Sequence, residues 1–373
     1  MSSWVVQTNL GARSSEVSAL VAATFLCAGS LLCGGLLGGC AGEAVDAPAV
    51  TWHKDVRSGL EKWCGSCHIE GGVGPFVLTD KAQAKAMNAP SINALTNGTM
   101  PPYRANDDCR QYNGQWMSDA QAAELVSALG KWRDGGYADG NEADYVKPDV
   151  PADPLEVAGP PQLVLRSTKA YKPNDKLADD YRCFVLDHVF DKETYLKMSN
   201  VLPGQRDLVH HVLVYVVPKS FLGALHGLDD AEDGVGYTCF GGPGVGSPSP
   251  VAGWAPGDAP LMSPDDMAVR LPAGSKLVMQ VHYNLAAAAV EDHTELQLWT
   301  TDKQPKFLLN SRPMPNFGIE VPANDKASTH TRFFENKSDK PWHVIGTTPH
   351  MHTFGTQIGV DKLDKEPAEL IGI

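Results

Sequence analysis

Eight residues, Leu208–Tyr215 (Leu-Val-His-His-Val-Leu-Val-Tyr), constrain this chain more than any other stretch. The run is apolar and β-branched, which reads as a buried strand. Two adjacent imidazoles, His210 and His211, interrupt it. Burying neutral imidazoles among valines and leucines is unfavourable unless each ring finds a partner, and a metal ion is one such partner. Two further histidine clusters follow in strand-like contexts: His282 in Met-Gln-Val-His-Tyr-Asn, and His350-Met351-His352 in Thr-Pro-His-Met-His-Thr-Phe-Gly. Residues two apart on a strand share a face, so His350 and His352 can chelate one ion, with Gly355 giving the turn after them. His210 and His211 point opposite ways on a regular strand. They reach one ion only if the strand ends or bulges there, or if they bind through different ring nitrogens. A third ligand must come from elsewhere, and His282 on a neighbouring strand fits. Three imidazoles without thiolate or carboxylate suit copper or zinc, with copper favoured on affinity. The alternative is a set of unrelated buried histidines, each satisfied by a backbone carbonyl.

At 373 residues the chain predicts two or three domains. A net charge of −13 with no basic stretch excludes nucleic acid as an expected partner. Residues 16–39 hold an apolar run that begins at Val17, preceded by Arg13 and ending in Leu37-Gly38-Gly39-Cys40. An apolar run closed by small residues reads as an export signal, and the permanent membrane-spanning helix is the competing reading. A Cys directly after Leu-Gly-Gly resembles a bacterial lipobox, with Cys40 as the lipidated first residue of the mature chain. The expected location is therefore outside the cytoplasm, as a periplasmic or outer-membrane-associated lipoprotein that touches membrane by its lipid anchor only. Of the eight cysteines, Cys27 and Cys33 leave with the signal and Cys40 takes the lipid. Cys64 and Cys67 belong to a separate motif. Cys183 and Cys239 flank the His210-His211 strand and are the expected disulfide in an oxidising compartment, leaving Cys109 unassigned.

A helix is expected over Thr51–Trp63, running into Cys64-Gly-Ser-Cys67-His68. This C-x-x-C-H pattern is the covalent haem attachment signature: thioethers from Cys64 and Cys67, and His68 as proximal iron ligand. A redox dithiol or a structural disulfide is the alternative. Met100, in Gly-Thr-Met-Pro-Pro, is a thioether fixed by prolines that stop local helix formation. The segment resembles a small class I cytochrome c, in which such a Met is the distal ligand; His53 competes for that role, and a core Met is the bland reading. Ser118–Arg133, with Ser/Asp capping and amphipathic spacing, is the expected closing helix. Residues 137–162 lose periodicity and are rich in Asp, Pro and Gly, a stiff linker. From Leu163, short Val/Leu/Tyr/Phe runs alternate with turns: Tyr181–Val189, Val209–Val217, Leu277–Tyr283 and Glu295–Thr300. They predict an antiparallel sandwich or jelly roll, with one short helical turn near Lys192–Met198. A new strand set begins near Lys306.

Residues 163–373 resemble the copper type II, ascorbate-dependent monooxygenases, the family of peptidylglycine α-hydroxylating and dopamine β-monooxygenases. The motifs, in order, are Tyr181-Arg182-Cys183 with its disulfide candidate, His210-His211 in Val-His-His-Val-Leu-Val-Tyr, Gly253-Trp-Ala-Pro-Gly257, Pro272-Ala-Gly274 leading into Gln280-Val281-His282-Tyr283-Asn284, and His350-x-His352 before Gly355. The resemblance implies that His210, His211 and His282 hold an electron-storing copper and that His350 and His352 hold an oxygen-binding copper. Gln280, in the His282 motif, is the candidate catalytic residue. The family completes the second site with a Met several tens of residues beyond the His-x-His, past Ile373, so that site is expected to be incomplete in this sequence.

The expected architecture is multidomain. A signal with lipobox (1–40) precedes a small all-α cytochrome c-like haem domain (49–137) and a linker (138–162). An all-β copper sandwich (163–305) and a truncated second one (306–373) follow. The implied function is hydroxylation of a C–H bond of a small substrate with O2 at two copper ions, with electrons from an external donor supplied through the fused c-type haem. A non-catalytic haem and copper electron-transfer lipoprotein is the alternative, and purely structural histidines come third.

Overall fold

The structure, a computed structural model, describes residues 3–11, 49–70, 72, 74–102, 117–149, 154–246, 249–285, 289–325, 327–351, 355–363 and 369–372. Signal residues 16–39, Cys40 and Cys109 lie outside them. The chain divides into two compact units, one of Thr51–Pro102 with Asp119–Met314, the other including Pro315–Ile373 and the N-terminal strand β1 (Ser3–Gly11).

The larger unit begins with a π-helical turn, Trp52–Val56, continuing into α1 (Arg57–Cys64); α2 (Lys81–Ala86), α3 (Asn88–Thr96) and α4 (Asp119–Asp134) follow. Trp52, Val56 and Leu60 recur every four residues and so form one buried stripe. α4 presents Ala122, Leu125, Leu129 and Trp132 at helical spacing. The two stripes meet at Trp52 and Trp132, with ring centroids 5.3 Å apart. The buried Asn88 amide donates to the Leu129 carbonyl and ties α3 to α4. The Asp80 carboxylate caps α2 by accepting from the Gln83 N–H.

The Pro/Asp/Gly-rich segment read as a stiff linker is fastened to the elements on either side of it. Tyr145 bonds Glu61 through its hydroxyl and lies under the Arg57 guanidinium, 3.9 Å from the ring centroid. Further on, the Trp299 indole donates to the Gly159 carbonyl, just after the short helix α5 (Pro154–Ala158).

The rest of this unit is a β-sandwich. Its strands are β2 (Leu163–Arg166), β3 (Asp179–Val185), β4 (Thr194–Leu202) and β5 (Val209–Val217); helix α6 (Leu222–Asp229) then leads to β6 (Tyr237–Thr238), β7 (Pro250–Trp254), β8 (Leu261–Met262), β9 (Met267–Leu271), β10 (Lys276–Asn284), β11 (Glu295–Thr301) and β12 (Phe307–Leu309). One sheet has the order β6-β3-β10-β5-β7 and the other β12-β9-β4-β11-β2. β4 occupies the stretch where a helical turn was expected; Tyr195, Leu196, Met198 and Val201 are all buried there, so packing between sheets decides over local propensity. β12 pairs parallel with β9, so the strand expected to open a second sandwich completes the first.

β10 is buried on both faces. Leu277, Met279, Val281 and Tyr283 point into the core between the sheets, joined by Leu196, Leu271, Leu296 and Leu298 from the opposite sheet. Val278 points outward into a second cluster under α6, with Val217, Leu225, Tyr237 and the Cys183–Cys239 pair. Those two cysteines form the expected disulfide. Beside it, Arg182 donates to the Val235 and Gly236 carbonyls and pairs with Glu232, pinning the loop that returns to Cys239.

In the smaller unit, β13 (Ala327–Glu335), β14 (Gly355–Leu363) and β15 (Glu369–Gly372) form a four-stranded sheet of order β13-β1-β14-β15. β1 comes from the part of the sequence read as the start of an export signal. Val360 is the buried centre of this unit, packed with Phe334, Trp342 and Ile358.

Replacing Cys183 and Cys239 together by alanine is expected to lower the unfolding free energy by about 2–5 kcal/mol, because the bridge closes a long loop across a buried cluster. Denaturant titration of the double variant against the parent measures it.

Candidate metal centre

β5 carries the two adjacent histidines because its ladder with β10 is irregular at one place. His282 pairs with His211, while the next residue of β10, Tyr283, pairs with Val209. His210 is therefore the extra residue of a β-bulge. The core records the same event: Val209 and Val212 are three apart, yet both are buried between the sheets. A regular strand would place them on opposite faces. The bulge absorbs the odd residue and turns both imidazoles to the outer face, where His282 already points.

The three rings converge on one nitrogen each. His210 Nδ1 and His211 Nδ1 are 3.2 Å apart, and His282 Nδ1 is 3.4 Å from His211 Nδ1. Two nitrogens bound at about 2.0–2.1 Å to one four-coordinate ion lie about 3.3–3.4 Å apart. All the ligand atoms of the cluster lie within 4.8 Å of one another. Hydrogen bonding among the rings satisfies at most one of these two contacts. His211 Nδ1 faces two other Nδ1 atoms and has one proton at most to give them. The cluster could therefore hold a metal ion such as copper.

The surroundings fix the ligand tautomer. The Asp179 carboxylate accepts a hydrogen bond from His282 Nε2 at 2.8 Å, which keeps that proton on Nε2 and leaves the Nδ1 lone pair for the metal. Tyr181 lies flat on the His282 ring, with centroids 4.0 Å apart and planes 10° from parallel. The sheet brings all three together: Tyr181 is directly opposite His282, and Asp179 is two residues earlier on the same face. Burial, with the Asp179 charge adding, pushes the Tyr181 phenol up, so the stacking partner is a neutral ring. His282 is buried, His211 half-buried and His210 exposed, so the centre is anchored in the sheet and open on one side.

Gln280, the candidate catalytic residue, is buried on the disulfide. Its amide nitrogen lies 3.3 Å from Cys239 Sγ and 3.9 Å from Cys183 Sγ. Of the second expected pair, His350 is exposed in the other unit and His352 falls outside the described residues. His210, His211 and His282 are the one group of this kind that the described residues bring together.

At the C-x-x-C-H motif, α1 ends at Cys64 and the turn continues helically, with the Cys67 and His68 N–H groups donating to the Cys64 carbonyl. Cys64 and Cys67 are not bonded to each other. Burial, with Cys67 nearby, pushes the Cys64 thiol up to about 12, the opposite of what an active redox dithiol needs. His68 Nδ1 lies 3.1 Å from the Phe76 carbonyl oxygen, which can only accept, so the proton sits on Nδ1 and Nε2 carries the lone pair. The Phe76 ring stacks on the imidazole at 4.6 Å. A Cβ at Gly74 would lie 2.5 Å from His68 Nδ1, so only glycine lets the backbone close over this ring. Met100 follows α3 and is 41 % exposed. His53, the competing ligand, has its N–H on the Asp139 carbonyl and its Nδ1 buried without a partner among the described groups.

Sequence reasoning missed Asp179, Tyr181 as a stacking partner, Gly74 and the Phe76 carbonyl. The Asp179-x-Tyr181 spacing offered a signal, since both residues share a face, but its value depended on the pairing of β3 with β10. No protein-family model matches the chain, and no curated protein matches its sequence. Among the described residues no helix is long and apolar enough to cross a membrane.

Asp179→Asn is expected to weaken metal affinity by about 10–100-fold, because the imidazole loses the group that orients it. His282→Ala should abolish stoichiometric binding. Competition titration of the full chain against a chromophoric copper chelator measures both.

Proposed function

We propose that the chain is a copper-dependent oxidoreductase of the type II, ascorbate-dependent monooxygenase kind, exported as a lipoprotein and carrying a c-type haem. The observation that carries this reading is the convergence of three Nδ1 atoms on the outer face of the β5–β10 ladder. Imidazole-only coordination suits copper, and the open side at His210 suits a centre that exchanges electrons with something outside the sheet.

When bound, copper supplies one-electron redox and dioxygen chemistry, and haem supplies a one-electron reservoir. The chain's own residues prepare for both. Asp179 holds the Nε2 proton of His282, and Tyr181 shields that ring's face. The Phe76 carbonyl holds the Nδ1 proton of His68, leaving Nε2 for iron. Cys64 and Cys67 lie one helical turn apart as unbonded thiols, in the arrangement that two thioethers to one porphyrin need. Within the helical segment, Ile69 and Met100 are the large apolar side chains left exposed among the described residues. One is adjacent to His68 and the other is the expected distal ligand, so a covering porphyrin accounts for both. His350 and His352 are assigned to the oxygen-binding copper by resemblance alone.

A second reading, a haem and copper electron-transfer lipoprotein without oxygen chemistry, is favoured by the three-histidine centre that the described residues bring together with one side open. Oxygen uptake by the copper-loaded full chain, with ascorbate as donor and amines or glycine-extended peptides as trial substrates, separates the two. The first reading expects uptake matched one-to-one by hydroxylated product, and loss of both in His211→Ala. Ascorbate oxidation with no product in any trial supports electron transfer alone.

A further inference from the structure

We infer that the turn after β7, Ala255-Pro256-Gly257-Asp258, is the docking seat for the haem-attachment turn, and that it holds the Cys67 sulfur and the three-histidine centre together as one electron-transfer pair. This rests on the haem and copper reading above and adds to it a specific positioning residue, Gly257.

The seat is a built structure. Pro256 occupies the second position of a type II turn and Gly257 the third, at φ 92°. The Asp258 N–H closes the turn onto the Ala255 carbonyl at 2.9 Å, and the Asp258 carboxylate accepts the Ala255 N–H at 2.8 Å. Any side chain at position 257 would be strained at that φ. A Cβ there would also press on the helical segment, lying 3.0 Å from Cys67 Sγ, so the sulfur would have to give way by a few tenths of an ångström. Two independent demands, one of backbone conformation and one of close approach to the sulfur, therefore fall on a single glycine. The second comes from the helical segment, not from the sandwich that contains the turn.

From this contact the path to the histidines is short. Three residues before Gly257, Trp254 ends β7 and pairs with Val212, which follows His211 directly. Three residues of chain, one ladder rung and one peptide amount to at most about 20 Å of Cα trace. Trp254 is 7 % exposed, so the ladder rung that starts the path lies inside the packed core. A thioether at Cys67 makes the haem periphery continuous with this path. In the step it serves, one electron leaves ferrous iron, which becomes ferric, and enters cupric copper, which becomes cuprous. A reductant of the ascorbate class then returns the iron to ferrous, and no proton or bond is exchanged between the sites.

The test uses the full-length chain purified with haem and loaded with copper. In the parent, the cupric electron-spin relaxation should be accelerated by the ferric haem, a direct report of proximity that needs no turnover. Stopped-flow reduction by ascorbate should show haem reduced before copper. Gly257→Leu should slow the second phase by roughly an order of magnitude, because a small displacement of a docked centre is costly, while the haem absorption and copper resonance stay unchanged. Gly257→Ala should fall between the two. Cupric relaxation that ignores the iron, or a Gly257→Leu protein that reduces its copper at the parental rate, overturns the docking. A purified chain holding no haem or no copper overturns the underlying reading instead.

Discussion

The site depends on one irregularity in one ladder. Between Val209 and His211 the pairing of β5 with β10 skips His210. Without that extra residue, His210 and His211 would point to opposite sides of the sheet and one would enter the core among Val212, Val214 and Met279. An unpartnered polar group there costs about 1–3 kcal/mol. With the bulge, the valines on either side stay in the core and both rings reach the outer face. The same β10 supplies His282 outward and Val281 and Tyr283 inward, so the centre and the sandwich core share a single backbone. Loss of core packing would disperse the ligands, which is why the strand around them is apolar throughout.

Around this irregularity the molecule divides rigidity from access. His282 is held by Asp179 and Tyr181 of β3, and β3 is fastened in turn by the disulfide and by the Arg182 contacts with the 232–236 loop. Gln280, between His282 and the disulfide, fills the outer face of β10 with a polar group that contacts the sulfurs. His210 stands at the exposed margin. The helical segment follows the same logic at a smaller scale, with one imidazole fixed by a backbone carbonyl and a glycine beside it that cannot be enlarged. In both places a hydrogen bond fixes the proton on one ring nitrogen and leaves the other nitrogen with its lone pair.

Much of this was legible from residue types and spacing. The strands at 209–217, 277–283 and 295–300 follow from β-branched and apolar alternation, the helices over 51–63 and 118–133 from their apolar stripes, and the disulfide from counting cysteines. The bulge could be posed as one way to reconcile two adjacent ligands, but not chosen over different ring nitrogens, because register is set by the partner strand. Asp179 and Tyr181 were hidden for the same reason. α6 was missed because its short apolar run, Leu-Gly-Ala-Leu, carries two glycines within eight residues and weak periodicity. β4 was misread where local preference yielded to packing between sheets. The contact of Gly257 with Cys67 joins residues 190 positions apart, and no local pattern announces it.

The most direct test of the central claim is X-ray absorption at the copper edge on the copper-loaded full chain. The account predicts one ion per chain at the β5–β10 site, with three imidazole nitrogens at about 2.0–2.1 Å and no sulfur in its shell. A chain that retains no stoichiometric copper, or copper bound through sulfur or through fewer than three imidazoles, would contradict the three-histidine centre and the oxidoreductase built on it.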